Sequence, residues 1–137
     1  MLLKDTANFK IVKFACQHCG ALKLDLALLM LVQMLREHFG EPLKVESGYR
    51  CPVHNKAVGG AENSRHLHGD AVDLHLLNKD RGNFVKLRKL YDIALALNPN
   101  GGVGLYDWGV HVDTRGEKAR WDYRSDKYKQ EMGKLNV

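Results

Sequence analysis

The sequence of 137 residues has no long apolar run: the longest, Leu26 to Val32, is far short of the ~18 residues that a membrane span needs. It has no internal repeat, no low-complexity linker and no block of basic residues. It has only three cysteines, Cys16, Cys19 and Cys51. That odd and sparse set does not suit a secreted disulfide scaffold and fits reduced thiols better. The first residues lack a basic segment followed by an apolar core and a small-residue cleavage site, so the expectation is a product made in the cytoplasm without a signal peptide. What is present is ordinary for one globular domain: 45% hydrophobic and 27% charged residues, with a formal net charge of +5. The charge favours a polyanionic partner such as nucleic acid, an anionic membrane or a cell wall. No basic helix, finger or aromatic sheet motif is found, so nucleic acid is not expected.

The pattern alternates helices with short strands. Residues up to Lys13 read as extended or loose, and Phe14 to Gly20 as a turn-rich knuckle. Asp25 is placed to cap a helix over Leu26–Phe39, with Leu28, Leu31, Val32 and Leu35 on one stripe and Gly40 as the stop. Leu43–Ser47 alternates like a half-buried strand. A short helix over Pro52–Val58, a loop over Ala61–Gly69 and a strand over Ala71–Leu76 follow. A second long helix spans Asn83–Leu97, with Phe84, Leu87, Leu90, Tyr91, Ala94 and Leu95 inward. Val103–Tyr106 and Val110–Asp113 read as strands joined by a tight turn at Asp107-Trp108-Gly109. The tail from Lys118 is charged, with Trp121 and Tyr123 packing back. The expected fold is α+β, one small domain over 1–137 with its core at about 14–123 and a mostly antiparallel central sheet flanked by helices.

Chemistry concentrates in Ser64-Arg-His66-Leu-His-Gly69-Asp-Ala71-Val-Asp73. Gly69 forbids a good helix there, so a loop His66 and a strand Asp73 can turn to one point above the small Ala71. A catalytic zinc takes three protein ligands and keeps one open position. His111 is the best third ligand, and Asp113 shares its strand face by the period of two. Arg50, at the end of the first strand beside Gly48, offers a planar donor fork for a carboxylate or an oxyanion. Cys16-x-x-Cys19 with Cys51 has three readings: a structural metal knuckle, packed thiols or a disulfide, of which packed thiols are preferred. Tyr106 and Trp108 flank the presumed cleft, with core packing the preferred reading.

Taken in order, Ser47-Gly-Tyr-Arg50, His54-Asn55, Val58-Gly-Gly-Ala61, Ser64-x-His66-x-x-Gly69-x-Ala71-x-Asp73, Gly102-Val-Gly104-x-Tyr106, His111-x-Asp113-x-Arg115 and Arg120-Trp121 resemble the M15 zinc peptidases. That group comprises D-alanyl-D-alanine carboxypeptidases and peptidoglycan endopeptidases, and the likeness is to its small single-domain branch. The resemblance implies a hedgehog/D-Ala-D-Ala peptidase-like fold, zinc on His66, Asp73 and His111, and substrate or transition-state binding by Arg50. It implies a peptidoglycan peptide as substrate, a monomer, and action on the cell wall after release, as in phage or prophage lysis. The general base that the group places shortly before the last ligand is displaced here, because Trp108 stands three residues before His111. Asp113 is the preferred substitute by geometry, either as base or as orienter of a ligand imidazole, and Asp107 is the second, with a plain turn residue its preferred reading. The alternative is a non-catalytic zinc-containing binding module, because the hedgehog signalling domain is similar around its His-x-x-Gly-x-Ala-x-Asp stretch.

Overall fold

A computed structural model describes residues 3–132. Its elements are α1 (Leu26–Phe39), β1 (Leu43–Ser47), α2 (Pro52–Ala57), β2 (Ala71–Leu76), α3 (Phe84–Leu97), β3 (Gly102–Leu105), β4 (Gly109–Asp113), β5 (Ala119–Asp122) and α4 (Asp126–Met132). One sheet carries the strands in the order β1-β2-β4-β3-β5. All neighbours are antiparallel except β3 and β5. The α+β architecture with a mostly antiparallel sheet is therefore present.

The helices form where local chemistry satisfies their ends. Asp25 accepts the Ala27 N–H at the start of α1, and Gly40 at φ +81° closes it in the left-handed region. Asn83 caps α3 by accepting the Lys86 N–H. Leu28, Leu29, Leu31, Val32, Leu35 and Phe39 bury one face of α1, while Leu87, Leu90, Tyr91 and Ala94 bury one face of α3. Each such leucine contributes about 1.5–3 kcal/mol by leaving water. Both faces join Val72, Leu74, Val103, Leu105, Val110 and Val112 of the sheet in one apolar cluster. Phe84 sits at the margin instead, tilted against Tyr128 with ring centroids 4.2 Å apart.

Side chains alternate along a strand, so the residues between these core positions share the opposite face. The register aligns one row across the whole sheet: Ser47 beside Asp73, Asp73 beside His111, His111 beside Gly104, and Gly104 beside Trp121. A bulge in β1 is part of this alignment. Val45 pairs with Leu74 but Ser47 pairs with Asp73, so an extra residue in β1 turns Ser47 from the core face to the Asp73 face.

Three local features differ from the sequence expectations. A 3-10 turn, Ile11–Phe14, ends the supposedly loose start, and Phe9 is already buried in the core. A second 3-10 turn, Arg65–His68, lies inside the expected loop, with the Ser64 side chain accepting the His66 N–H and Gly69 closing it at φ +73°. The charged tail contains β5, an edge strand laid parallel to β3, followed by α4. Four residues with no apolar alternation carry no strand signal, and a parallel partner is supplied only by the tertiary fold. Gly133 to Val137, the end of that tail, lie outside the described residues.

Candidate metal centre

Of the row, Asp73 and His111 are direct cross-strand neighbours, and the Arg65–His68 turn brings His66 against them. Asp73 Oδ1 lies 2.9 Å from His111 Nδ1, and Asp73 Oδ2 lies 3.3 Å from His66 Nε2. One ligand atom from each of the three falls within 4.8 Å of the others, and all three residues are buried. His66 Nδ1 is 2.7 Å from the Gly48 carbonyl, which assigns the ring proton to Nδ1 and leaves Nε2 as the lone-pair nitrogen towards Asp73. On the far side of His111, Nε2 lies 2.7 Å from Asp113 Oδ2.

Electrostatics follow from this packing. Burial works against ionisation of Asp73, yet His111 and His66 outweigh it and hold the carboxyl well below the usual range. Burial likewise disfavours a charged His111, but Asp113 and Asp73, one at each ring nitrogen, push its pKa up. Two imidazoles with one carboxylate, and an unshared nitrogen already oriented by a backbone carbonyl, form a donor set that fits zinc.

Asp113 is fully buried and saturated. It accepts from Gly102 N at 3.0 Å and Arg115 Nε at 2.8 Å through Oδ1, and from Arg115 Nη2 at 2.7 Å through Oδ2, besides facing His111. Burial again opposes its charge, and Arg115 and His111 hold its pKa well below the ordinary value. Gly102 is required beneath it, because a Cβ there would run into the Asp113 carboxylate. Asp107 lies in the β3–β4 turn, where Oδ1 accepts the Ser125 N–H at 2.8 Å.

Arg50 reaches the cluster: Nη2 is 3.3 Å from Asp73 Oδ2. Its Nε donates to Ser47 Oγ at 3.1 Å and its Nη1 to Asn55 Oδ1 at 3.4 Å, which fix the guanidinium plane and leave one N–H on each terminal nitrogen for a ligand. Asn55 is in turn held through Nδ2 to the Ala61 carbonyl at 2.9 Å.

A cleft of about 550 Å³ opens over the cluster, lined by His66, Asp73, His111, Arg50, Tyr106 and Trp121 among others. A second cavity of about 470 Å³ adjoins it, shares Arg50, Asp73 and Trp108, and adds Asp107. Tyr106 and Trp108 do not pack in the core as preferred from sequence. Their rings stack with centroids 4.8 Å apart on the cleft wall, and Trp108 is exposed. Trp121 lies over Gly104, where a Cβ would strike the indole, and its ring centroid is 4.9 Å from that of His111. The Trp121 Nε1–H donates to Tyr106 Oη at 2.8 Å, leaving the phenol proton free to point elsewhere. Burial raises the Tyr106 pKa, so the phenol stays a donor at neutral pH. Tyr123 packs back edge-on against Tyr106, with ring centroids 5.8 Å apart, while staying largely exposed.

Sequence reasoning gathered His66, Asp73, His111, Arg50 and Asp113 at one place, and the fold brings them together. Asp107 is on the neighbouring cavity rather than beside His111. The positioning roles of Ser47, Asn55, Arg115 and Trp121 were not assigned from sequence, although all four fall inside the motif blocks. The Gly48 carbonyl leaves no signal in a sequence at all.

The chain also aligns with known proteins. It is 42% identical over 50 residues to the zinc D-Ala-D-Ala carboxypeptidase of Streptomyces albus G. That stretch covers 36% of this chain and 20% of the enzyme, so the match spans about a fifth of the relative's length. The family model described as Peptidase M15 matches residues 7–113, a span that holds His66, Asp73, His111, Arg50 and Asp113, and the chain belongs to the M15 peptidase family.

Proposed function

We propose that the protein is a zinc metallopeptidase that hydrolyses an amide bond in peptidoglycan stem peptides, as a D,D-carboxypeptidase or an endopeptidase. The observation that supports it is the buried cluster of His66, Asp73 and His111 at the floor of an open cleft, with Arg50 fixed beside it. His66 through Nε2, Asp73 through its carboxylate and His111 through Nδ1 would hold the zinc. Bound zinc supplies Lewis acidity, polarising a carbonyl and acidifying water. Arg50 and the Tyr106 hydroxyl face the same space as hydrogen-bond donors for a substrate carboxylate or a developing oxyanion. Asp113 keeps the His111 ring in place from behind and is a positioning residue, because every approach to it is taken by Gly102, Arg115 and His111. Asp107, which lines the adjoining cavity from the β3–β4 turn, takes the proton and passes it to the leaving amine. Tyr106 and Trp108 give the substrate an aromatic wall. The net charge of +5 suits approach to an anionic wall, where a monomer released from the cytoplasm would act, as in phage or prophage lysis.

A specific observation favours a second reading, a zinc-containing module that binds the wall or a protein without turnover. Among the described residues lining the cleft over the cluster, Asp73 is the only carboxylate. Asp107 is meanwhile engaged with the Ser125 N–H. Mass spectrometry of peptidoglycan digested by the zinc-loaded protein separates the two. A newly cut stem amide in the wild type, absent with His66→Ala and Asp73→Ala, supports the peptidase. Full zinc loading and wall binding without any cut bond supports the module.

A further inference from the structure

The three cysteines play no part in the cleft, yet the fold gathers them. Cys16 and Cys19 flank a tight turn in which Gly20 N–H donates to the Cys16 carbonyl at 2.8 Å and Cys16 N–H to the Ala21 carbonyl at 2.8 Å. Cys51 arrives from β1, carried by the hydrogen bond from Tyr49 N–H to the Phe14 carbonyl at 2.8 Å. Their three sulfurs lie within 4.8 Å of one another, and all three are free thiols. Backbone amides point at them: Cys51 N–H at Cys16 Sγ and His54 N–H at Cys51 Sγ, each at 3.4 Å.

Hydrophobic packing does not account for this. A free cysteine that serves as a small apolar residue is buried, and here Cys16 alone is: Cys51 is half-buried and Cys19 exposed. A disulfide joins two sulfurs and leaves the third without a role. A metal uses all three. The spacing supports it, because Cys16-x-x-Cys19 is followed by Cys51-x-x-His54, two short ligand pairs from separate segments. Two imidazoles come from the same two segments, His18 inside the turn and His54 on the first turn of α2, with parallel rings 6.3 Å apart, and neither belongs to the set of ligand atoms that the three sulfurs form within 4.8 Å.

We propose that Cys16, Cys19 and Cys51 bind a structural zinc ion, with an imidazole of His54 or His18 closing a tetrahedral Cys3His shell. Binding forms three zinc–sulfur bonds and releases the three thiol protons to solvent. The ion ties the knuckle to the segment that follows β1. That segment carries the Gly48 carbonyl that orients His66, and Arg50 itself. The role is one of support and is independent of whether the cleft is catalytic.

Elemental analysis of protein expressed with zinc and purified under reducing conditions tests it. Wild type is expected to hold two zinc ions per chain, one for each cluster. Cys16→Ser/Cys19→Ser is expected to lose one and keep the other, and His66→Ala/Asp73→Ala likewise. Should the cysteine variant not fold, the wild type still decides. Cobalt-substituted protein is expected to show thiolate-to-cobalt charge-transfer absorption that a mercurial abolishes. A wild type with a single zinc whose three thiols all react freely in the native state overturns the proposal. So does an intact mass that shows a disulfide.

Discussion

The two clusters are built on opposite principles. His66, Asp73 and His111 sit in a buried place fixed mainly by sheet register, since Asp73 and His111 are paired residues of adjacent central strands. Cys16, Cys19 and Cys51 sit on turns at the edge, one sulfur buried and one exposed, joined to the body by few hydrogen bonds. In the first, Arg50, His66 and His111 pair with Asp73, and His111 also pairs with Asp113. The second has no such internal balance. Preorganisation of this kind is what a reacting site needs, whereas a supporting site gains its order from the ion it binds.

This contrast predicts a descending series of effects. Asp73→Ala abolishes stem-peptide hydrolysis and removes only the zinc of the cleft, as metal content and turnover measured together will show. Arg50→Lys keeps a positive charge but loses the planar fork to Ser47, Asn55 and Asp73; kcat/KM is expected to fall by about 10²–10³ with zinc content unchanged. A fall in zinc content would instead make Arg50 a structural residue. Asp113→Asn leaves the shape but weakens the hold on His111, at a cost of about 10–100-fold in zinc affinity or activity, read by chelator competition. Gly104→Ala pushes the indole of Trp121 off its seat, with about 1–3 kcal/mol lost in denaturant unfolding and a changed tryptophan emission. Smallest in activity is Cys19→Ser, which is expected to leave turnover nearly intact, lower the melting temperature and expose residues 14–20 to proteolysis.

Much of this was legible in the sequence because it is local. Asp25 and Gly40 mark the ends of α1 by capping chemistry alone, and His111 and Asp113 share a face by the strand period. The Ser64–Asp73 string encodes its own turn, with Ser64 capping and Gly69 closing it. What stayed hidden is tertiary. The bulge that swings Ser47 beneath Arg50 depends on the partner strand, and β5 exists only because β3 offers an open edge. The strand period already favours Asp113 over Asp107, a turn residue, as the carboxylate nearer His111, but not what each one does. Packing supplies their roles, with Asp113 saturated behind the imidazole and Asp107 held out on the turn.

The central claim is that three side chains of the sheet face and its neighbouring turn clasp one zinc ion beside Arg50. Anomalous diffraction at the zinc edge, from crystals of the zinc-loaded protein, tests it most directly. The account predicts a strong peak between His66 Nε2, the Asp73 carboxylate and His111 Nδ1, open towards the cleft. Full zinc loading with no peak at those atoms would contradict it.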